Sequence, residues 1–421
     1  MSQYYDIIIV GGGAAGFFCA INAVEMNSTL KVAILERGQE VLSKVRISGG
    51  GRCNVTHACY DPRELVQYYP RGEKELRGPF HTFAAGDTVE WFERHGVALK
   101  AEEDGRMFPV TDSSQTIIDC LVSAAKRLGI EILTGQSVKS IYRKEQETFK
   151  IDTQSSAFVC DKLVMATGSN PKIWEMLKEL GHDIIAPVPS LFTFNIKDPR
   201  IRELPGISAN ATVKVIGTNL ESFGPLLITH WGMSGPAILK LSAWGARILA
   251  GKNYQFDIAV NWLNAETEDI GKQLRELRLE HARKVVLKRS PFGLANRLWE
   301  SIVTASGITA ETKWADLSKK QMNDLAQQLT AAIFRVNGKS TFKEEFVTAG
   351  GLNLKEINFK TMESKLHSKL FFAGEIIDVD AITGGFNFQN AWTTGYLVAK
   401  AINITHNVFN VVSFPSGSFR K

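Results

Sequence analysis

Residues 6–10 read DIIIV, and the next six, GGGAAG, place glycines at 11, 13 and 16. A β-branched run that ends in this spacing and leads into the small, apolar residues of Ala14 to Glu25 predicts a strand, a tight turn and a helix. Lys31 to Glu36 (KVAILE) predicts a second strand, so the first 36 residues form a βαβ unit on a buried parallel sheet. Gly11 permits the turn, Gly13 lets the backbone approach a pyrophosphate, and Gly16 allows close helix packing. The N-terminus of the helix offers unpaired N–H groups to phosphates. Glu36, 20 residues after Gly16, would accept hydrogen bonds from a ribose diol. A bound dinucleotide is expected.

Length and charge narrow the rest. A chain of 421 residues implies two or three domains. The 49 Lys and Arg against 44 Asp and Glu leave +5, too slight by itself to indicate nucleic acid. Five cysteines without a CxxC or a Cys/His cluster argue against a disulfide scaffold and against a metal centre, and fit a reducing, cytoplasmic compartment. The uncharged stretch Ile7 to Val24 contains three consecutive glycines, so it reads as a turn rather than a membrane helix, and no membrane partner is expected. The N-terminus lacks the basic region of a secretory signal. Oligomeric state is not legible.

Along the chain, a basic glycine-rich loop is expected over Lys44 to Thr56. A capping box at Asp87 and Glu90 opens a helix through Trp91 and Phe92. A further helix starts near Ser113, with Ile117, Ile118, Leu121, Val122, Ala125 and Leu128 on one face. Strands follow at 130–133, 137–143, 148–153 and 162–166. From about Pro187 to Val260 short β runs (FTFNI, ATVKVIG, PLLIT, YQFDIAV) signal an antiparallel sheet or small barrel. Amphipathic helices near 266–288, 292–305 and 318–335 look like an insertion into it. Leu370 to Ala373 and Trp392 to Ile402 restore strand and helix, completing the first sheet. The expected division is 1–188 with 345–421, a β domain of 189–264 with 337–344, and a helical insert of 265–336.

The C-terminus decides which dinucleotide. Leu370 to Asp378 (LFFAGEIID) is an apolar strand ending in a Gly-acid pair, and Gly384 to Gly395 (GGFNFQNAWTTG) leads into a last helix. This resembles the late strand and flavin-facing helix of FAD proteins of the glutathione-reductase-like superfamily, where a helix N-terminus faces charge developing on the reduced flavin. Val164 to Gly168 (VMATG) looks like another recurring strand end of that superfamily. Non-covalent FAD is the expected cofactor. No second GxGxxG follows residue 16, so NAD(P)H, if used, binds transiently.

In KVRISGGGRCNVT, residues 44–56, consecutive glycines would expose N–H groups to an anion, with Lys44, Arg46 and Arg52 adding positive charge. The string SGGGRCNVT resembles the signature of the BaiN-like flavoproteins, also known as aminoacetone-oxidase-family FAD-binding enzymes. GRMFP (105–109), THWGMSGPAIL (229–239), TAGGLNL (348–354) and 374–395 resemble that family in order and spacing. The resemblance implies an α/β, Rossmann-like FAD-binding domain of the glutathione-reductase-like type, split around a β-barrel-like domain that carries a helical subdomain. It implies an FAD-dependent oxidoreductase passing a hydride between flavin and a small organic substrate: an amine, a ketone or a steroid-like molecule.

Carried over by position, Gly11, Gly13, Ala14, Ala15, Gly16, Glu36 and Arg37 would hold the ADP part, and Val138 the adenine through its backbone. Lys44, Ser48, Gly49, Gly50, Gly51, Arg52, Cys53 and Asn54 would line the pyrophosphate and flavin. Ala166, Thr167 and Gly168 would meet the middle of the cofactor. Gly374, Glu375, Asp378, Gly384, Gly385, Phe386, Asn387 and Gln389 would hold the ribityl chain and isoalloxazine.

His230 and Thr348 are the polar residues expected nearest a substrate, as catalytic candidates; a histidine beside Trp231 is otherwise an ordinary structural residue. The turn around Gly350 and Gly351 is expected either to approach the flavin or simply to shape a strand. Cys53 and Cys59 enclose five residues, not the four of a redox CxxxxC, so a packed thiol is expected. The basic run Arg283, Lys284, Lys288, Arg289 reads as a solvated helix face, so nucleic acid is not the expected partner. The rival reading is an RNA-binding or tRNA-modification-like flavoprotein that uses the helical insert.

Overall fold

The computed structural model describes residues 2–144, 147–340 and 347–410. They form two compact units, Met1–Pro187 with Val347–Lys421, and Val188–Phe346. The expected β-domain residues 341–344, and 345–346 beside them, lie outside the described residues.

In the first unit the strand Gln3–Val10 sits centrally, parallel to Val32–Leu35 on one side and to Ala157–Met165 on the other. Glu131–Leu133 extends one edge and Leu370–Phe372 the other, both parallel. Ile7, Ile8 and Ile9 are fully buried, as a parallel strand covered on both faces requires. The glycine turn opens the helix Ala14–Met26, which packs on the last helix, Phe386–Asn410. A Cβ on Gly395 would lie 2.8 Å from the Ala15 carbonyl oxygen, so only glycine allows this approach. Val138–Arg143 and Phe149–Thr153 add an antiparallel meander to the strand Ala157–Met165, which starts five residues earlier than expected.

Two local expectations need correction. Asp87 is not a helix cap: the helix Ala85–Arg94 starts after Ala84, and the Asp87 carboxylate is its third residue, accepting the Ala84 N–H at 2.7 Å. The segment 44–56 is not all loop, because Ser43–Gly51 is helical with a break at Ser48, Gly49 and Gly50. The two glycines there adopt left-handed angles that release the backbone from the helix.

The second unit holds the strands Thr193–Asn195, Ser208–Val215, Glu221–Thr229, Gly232–Ser234 and Gln255–Asn261, close to the β runs expected. Between the last two lies a helix, Pro236–Gly251, in a stretch read as β; Pro236 starts it, and Ala237, Ile238, Leu241, Gly245 and Leu249 bury one face at helical spacing. The expected helices are shorter than predicted, at Thr267–Glu280, Asn296–Ala305 and Lys319–Thr330. Ala332–Asn337 is instead a strand whose burial alternates, as one-sided packing dictates.

That strand pairs with Gln255–Asn261, and its continuation beyond Gly338, Lys339–Ser340, pairs with Thr193–Asn195. The strand order therefore begins and ends on one stretch of chain. Leu274, Trp299 and Leu325 from the helices share a hydrophobic core with Val213, Leu226 and Ile258 from the sheet.

Candidate functional site

The glycine turn is built by contacts that exclude side chains at two of its positions. A Cβ on Gly11 (φ +116°) would meet the Ala166 oxygen at 2.3 Å, and one on Gly16 would meet the Gly11 oxygen at 2.0 Å. Gly13 differs, because nothing lies within 4 Å of where its Cβ would be. It caps the helix without any side-chain hydrogen bond, and no acid occupies the first turn, which includes Ala14 and Ala15. An uncapped N-terminus beside open space suits an anionic group.

Glu36 holds two loops at once. One oxygen accepts the Gly12 N–H at 2.9 Å and the other the Gly38 N–H at 2.8 Å, leaving each a further lone pair. The Gln136 N–H donates to the Glu36 carbonyl at 2.8 Å, which brings the start of the strand at Val138 to the same end of the sheet. Arg37 is exposed beside it.

The broken helix uses its basic residues otherwise than expected. Lys44 Nζ reaches Glu375 Oε2 at 2.5 Å. Arg46 donates to Gln115 at 2.8 Å. Arg52 pairs with Glu102 at 2.6 Å and Asp112 at 3.6 Å and lies over the Phe108 ring. Arg52 is thus neutralised by local acids, and the anion-binding capacity of this segment rests on its backbone. Gly50 and Gly51, both at positive φ, have nothing within 4 Å of a built Cβ. The Ser48 carbonyl accepts the Cys53 N–H at 2.9 Å, while a Cβ on Gly49 would press on Asn54 and Phe108 at 3.0 Å. Cys53 is buried, and burial pushes its thiol up to about 12, so it is no primed nucleophile. The Asn54 amide accepts the Gly385 N–H at 2.9 Å and donates to the Thr56 carbonyl at 3.0 Å, tying this segment to the last helix.

From the C-terminal side, Gly374 (φ +74°) donates its N–H to Thr394 Oγ1 at 2.9 Å. Glu375 Oε1 accepts the Thr348 N–H at 3.2 Å, and a Cβ on Gly168 would lie 3.7 Å from Glu375 Oε2. Lys44, Gly168, Thr348 and Glu375 therefore converge. Asp378 is buried and its N–H donates to Leu352 at 3.0 Å. Asn387 staples its own loop through both amide atoms to Ala381. Gln389 is fully buried and committed to Thr56, Thr88 and Thr393, so its side chain braces the helix from within.

Three buried polar atoms, Thr167 Oγ1, Thr348 Oγ1 and Asn390 Oδ1, have no hydrogen-bond partner among the described residues. Such atoms are rare in a folded chain, and together with the uncapped helix and the open glycines they fit a polar, phosphate-bearing cofactor.

Several features escaped sequence reasoning. Arg71 and Asp380 form a buried ion pair, and the only hint was the position of Asp380 two residues after Asp378. His57 and Tyr68 stack on Phe386, with centroids at 4.6 and 4.3 Å, next to Gly384. Gly350 and Gly351 are shaped by strand packing: a Cβ on the first would lie 2.6 Å from Pro187 Cα, and on the second 2.6 Å from the Ile376 oxygen. His230 belongs to the second unit, exposed at the end of Glu221–Thr229, where it borders a groove of about 720 Å³ together with Arg202, Glu203 and Arg297. Among the described residues, no helix is long and apolar enough to cross a membrane.

A parallel sheet whose first strand runs into this glycine turn, with a late strand and helix returning to it, defines a Rossmann-type α/β fold of the FAD-binding kind, and the chain is an FAD-dependent oxidoreductase. More particularly, it belongs to the HI0933-like family: the profile described as HI0933-like protein Rossmann domain matches residues 5–401. It is 29% identical over 416 residues to the ribosomal RNA dihydrouridine synthase of Haemophilus influenzae, covering 96% of this chain and all of that one. It is 26% identical to the 3-dehydro-bile acid delta(4,6)-reductase of Clostridium scindens, covering 93% and 98%. Among solved structures, the 3-ketosteroid-delta4-(5alpha)-dehydrogenase of Rhodococcus jostii RHA1 matches in fold with a TM-score of 0.52 at 14% identity, over 95% of this chain and 97% of that one.

Proposed function

We propose that this chain transfers a hydride between FAD and a carbon–carbon double bond conjugated to a carbonyl. One chemical parallel carries the reading. Saturating uridine to dihydrouridine and reducing a delta(4,6) bond of a 3-dehydro bile acid are both additions of hydride and proton across a C=C next to a C=O, and relatives named for each align with nearly the whole chain.

FAD, when bound, supplies the two-electron carrier. In this reading the first turn after Gly13 holds the pyrophosphate, Glu36 accepts the ribose hydroxyls, and the backbone of Ser48 to Asn54 with Ala166 to Gly168 lines the middle of the site. Gly374, Glu375 and the start of the helix at Phe386, whose first turn has no acid, take the ribityl and ring end. Thr348 is the better of the two catalytic candidates. Its buried hydroxyl has no partner among the described residues and its backbone N–H is held by Glu375, so it can donate a hydrogen bond to a carbonyl and hold it in place. NAD(P)H is proposed as the transient donor, since no second glycine fingerprint provides it a domain.

The first unit is read as the glutathione-reductase-like type, and the second as a small inserted barrel, supported by the shared strand on either side of Gly338. Boundaries near 188 and 345 lie close to the limits of the two compact units, and the helical insert, expected over 265–336, is read as ending before Ala332–Asn337, which is a strand of the barrel's own sheet. Five free cysteines support a reducing, cytoplasmic setting.

The test is anaerobic reduction of the bound flavin by NADH and NADPH, then stopped-flow reoxidation by 2-cyclohexenone, a steroid enone and uridine-containing RNA, with cyclohexanone as the control acceptor; simple amines are offered separately as donors to the oxidised flavin. Reoxidation by a conjugated acceptor, with a gain of two hydrogens in the product, supports the reading. Reactivity with amines alone overturns it.

A further inference from the structure

Addition of hydride is only half of the proposed reaction. As the β carbon gains its C–H bond, the π electron pair moves towards the carbonyl oxygen, and the α carbon then needs a proton. The groups assigned so far do not give it: Glu375 is an acceptor, bound by Lys44 and by the Thr348 N–H, and the Thr348 hydroxyl is engaged with the carbonyl in that reading. The donor has to keep its proton at neutral pH, stand at a fixed place beside the ring end of the site, and regain the proton from water after each turnover.

The segment 68–72 is fixed against the loop that enters the last helix. The Tyr68 carbonyl accepts the Ile382 N–H at 3.0 Å, and the Tyr69 hydroxyl donates to the Phe386 carbonyl at 2.6 Å. Arg71 and Asp380 form the buried ion pair. Gly72 (φ +93°) passes so close to the loop that a Cβ there would lie 2.6 Å from the Val379 side chain. The Tyr68 ring stacks on Phe386, the buried first residue of the helix, with centroids 4.3 Å apart and planes at 12°. The phenol therefore has a rigid base at the end of the site that the proposed function gives to the isoalloxazine.

We infer that Tyr68 is the catalytic acid that protonates the α carbon. Its ring is half-buried, and its hydroxyl makes no hydrogen bond to a described residue. Other acids nearby are committed or shut in: the Tyr69 hydroxyl to Phe386, Asp380 to Arg71, and the Cys53 thiol within the core. His57, also stacked on Phe386 at 4.6 Å, turns Nε2 to the Asp104 carbonyl at 3.1 Å. Burial, with Cys59 and Glu64 nearby, holds the Tyr68 phenol above its ordinary value, so it stays protonated until a strong base reaches it. An enolate carbon is such a base. The α C–H bond forms as the phenol O–H bond breaks, the O–H electron pair stays on the phenolate oxygen, and water returns the proton. The inference rests on the proposed reaction and completes it, and it requires no oxidant or reductant beyond the hydride carrier.

The test uses the full-length, FAD-loaded protein, reduced with stoichiometric dithionite so that the outcome does not depend on a nicotinamide donor. Reoxidation is followed by stopped flow with 2-cyclohexenone, whose α carbon must be protonated, and with ferricyanide, which takes electrons alone. Tyr68→Phe keeps the stacked ring; it is expected to slow the enone reaction at least about a hundredfold and to change the ferricyanide rate less than about twofold. Flavin absorbance and a melting temperature matching the wild type establish that the variant is folded. Fluorine NMR of protein carrying 3-fluorotyrosine at position 68 reads proximity without turnover: its resonance is expected to shift when FAD binds the apoprotein, and again when cyclohexanone, the saturated product, is added in excess. An enone rate in Tyr68→Phe equal to that of the wild type, equal slowing with both acceptors, or a fluorine resonance that cyclohexanone leaves in place would each overturn the inference. A wild-type flavin that ferricyanide reoxidises and no enone does would sink the proposed reaction itself, and this assignment with it, a failure visible without any variant.

Discussion

Lys44 and Glu375 meet at 2.5 Å although 331 residues separate them in sequence. The pair ties the broken helix of the glycine-rich segment to the end of the last parallel strand, and the second Glu375 oxygen holds the first residue of the strand Thr348–Leu352.

The two partners are unequal. Lys44 is 56% exposed and Glu375 20%, so losing the ammonium should matter little while losing the carboxylate removes an acceptor from a backbone N–H as well. Lys44→Met should lower stability by less than about 1 kcal/mol. Glu375→Ala should lower it by about 1.5–3 kcal/mol, with FAD released more readily. Urea denaturation of both variants checks this; equal losses would show that the pair acts only as a surface bridge.

Glu36→Ala removes the acceptor of two backbone N–H groups as well as the proposed partner of the ribose diol. FAD affinity should fall about ten- to a hundredfold, corresponding to roughly 1.4–2.8 kcal/mol. Fluorescence titration of the apoprotein with FAD measures it. Unchanged affinity would place the ribose elsewhere.

Gly350→Val tests how the strand at 348–352 is used. With φ at +133° and the Pro187 backbone 2.6 Å from the new Cβ, the variant should lose several kcal/mol and melt well below the wild type, rather than lose turnover selectively. A normal melting temperature with slow turnover would restore the view that this turn faces the substrate.

His182 carries a pH dependence. Burial pushes its imidazole below the ordinary 6.5, against the opposing pull of Glu356 at 2.8 Å. The unfolded chain then binds the proton more readily than the folded one, so stability is complete above about pH 6.5 and declines as pH falls towards the folded value. Melting curves from pH 8 to 5 should show this decline in the wild type and a smaller one in His182→Asn. Parallel curves would remove His182 from the account.

The glycine turn, the late strand and their shared sheet were legible because each is a local pattern whose chemistry has few alternatives. Gly11, Gly16 and Gly374 announce the turns they make. What the sequence hid depends on partners far along the chain. Nothing near Arg71 points to Asp380, 309 residues on, and nothing near Arg52 shows that Glu102 and Asp112 will consume its charge. The helix Pro236–Gly251 was hidden for a different reason: it lies among β runs, and a short apolar stretch such as PAIL does not by its period distinguish a buried strand from a buried helix.

The strand Leu370–Phe372 pairs with Leu163–Met165, and so a sheet that begins at Gln3–Val10 waits for residue 370 to complete its other side. During synthesis the edge of Ala157–Met165 must wait through some two hundred residues for its neighbour. The second unit, made from one uninterrupted stretch, can fold in that interval. Such long-range parallel pairing is slow to form, so the cofactor site matures last, and a nascent chain arrested before residue 370 would carry a folded second unit with no means of keeping its flavin.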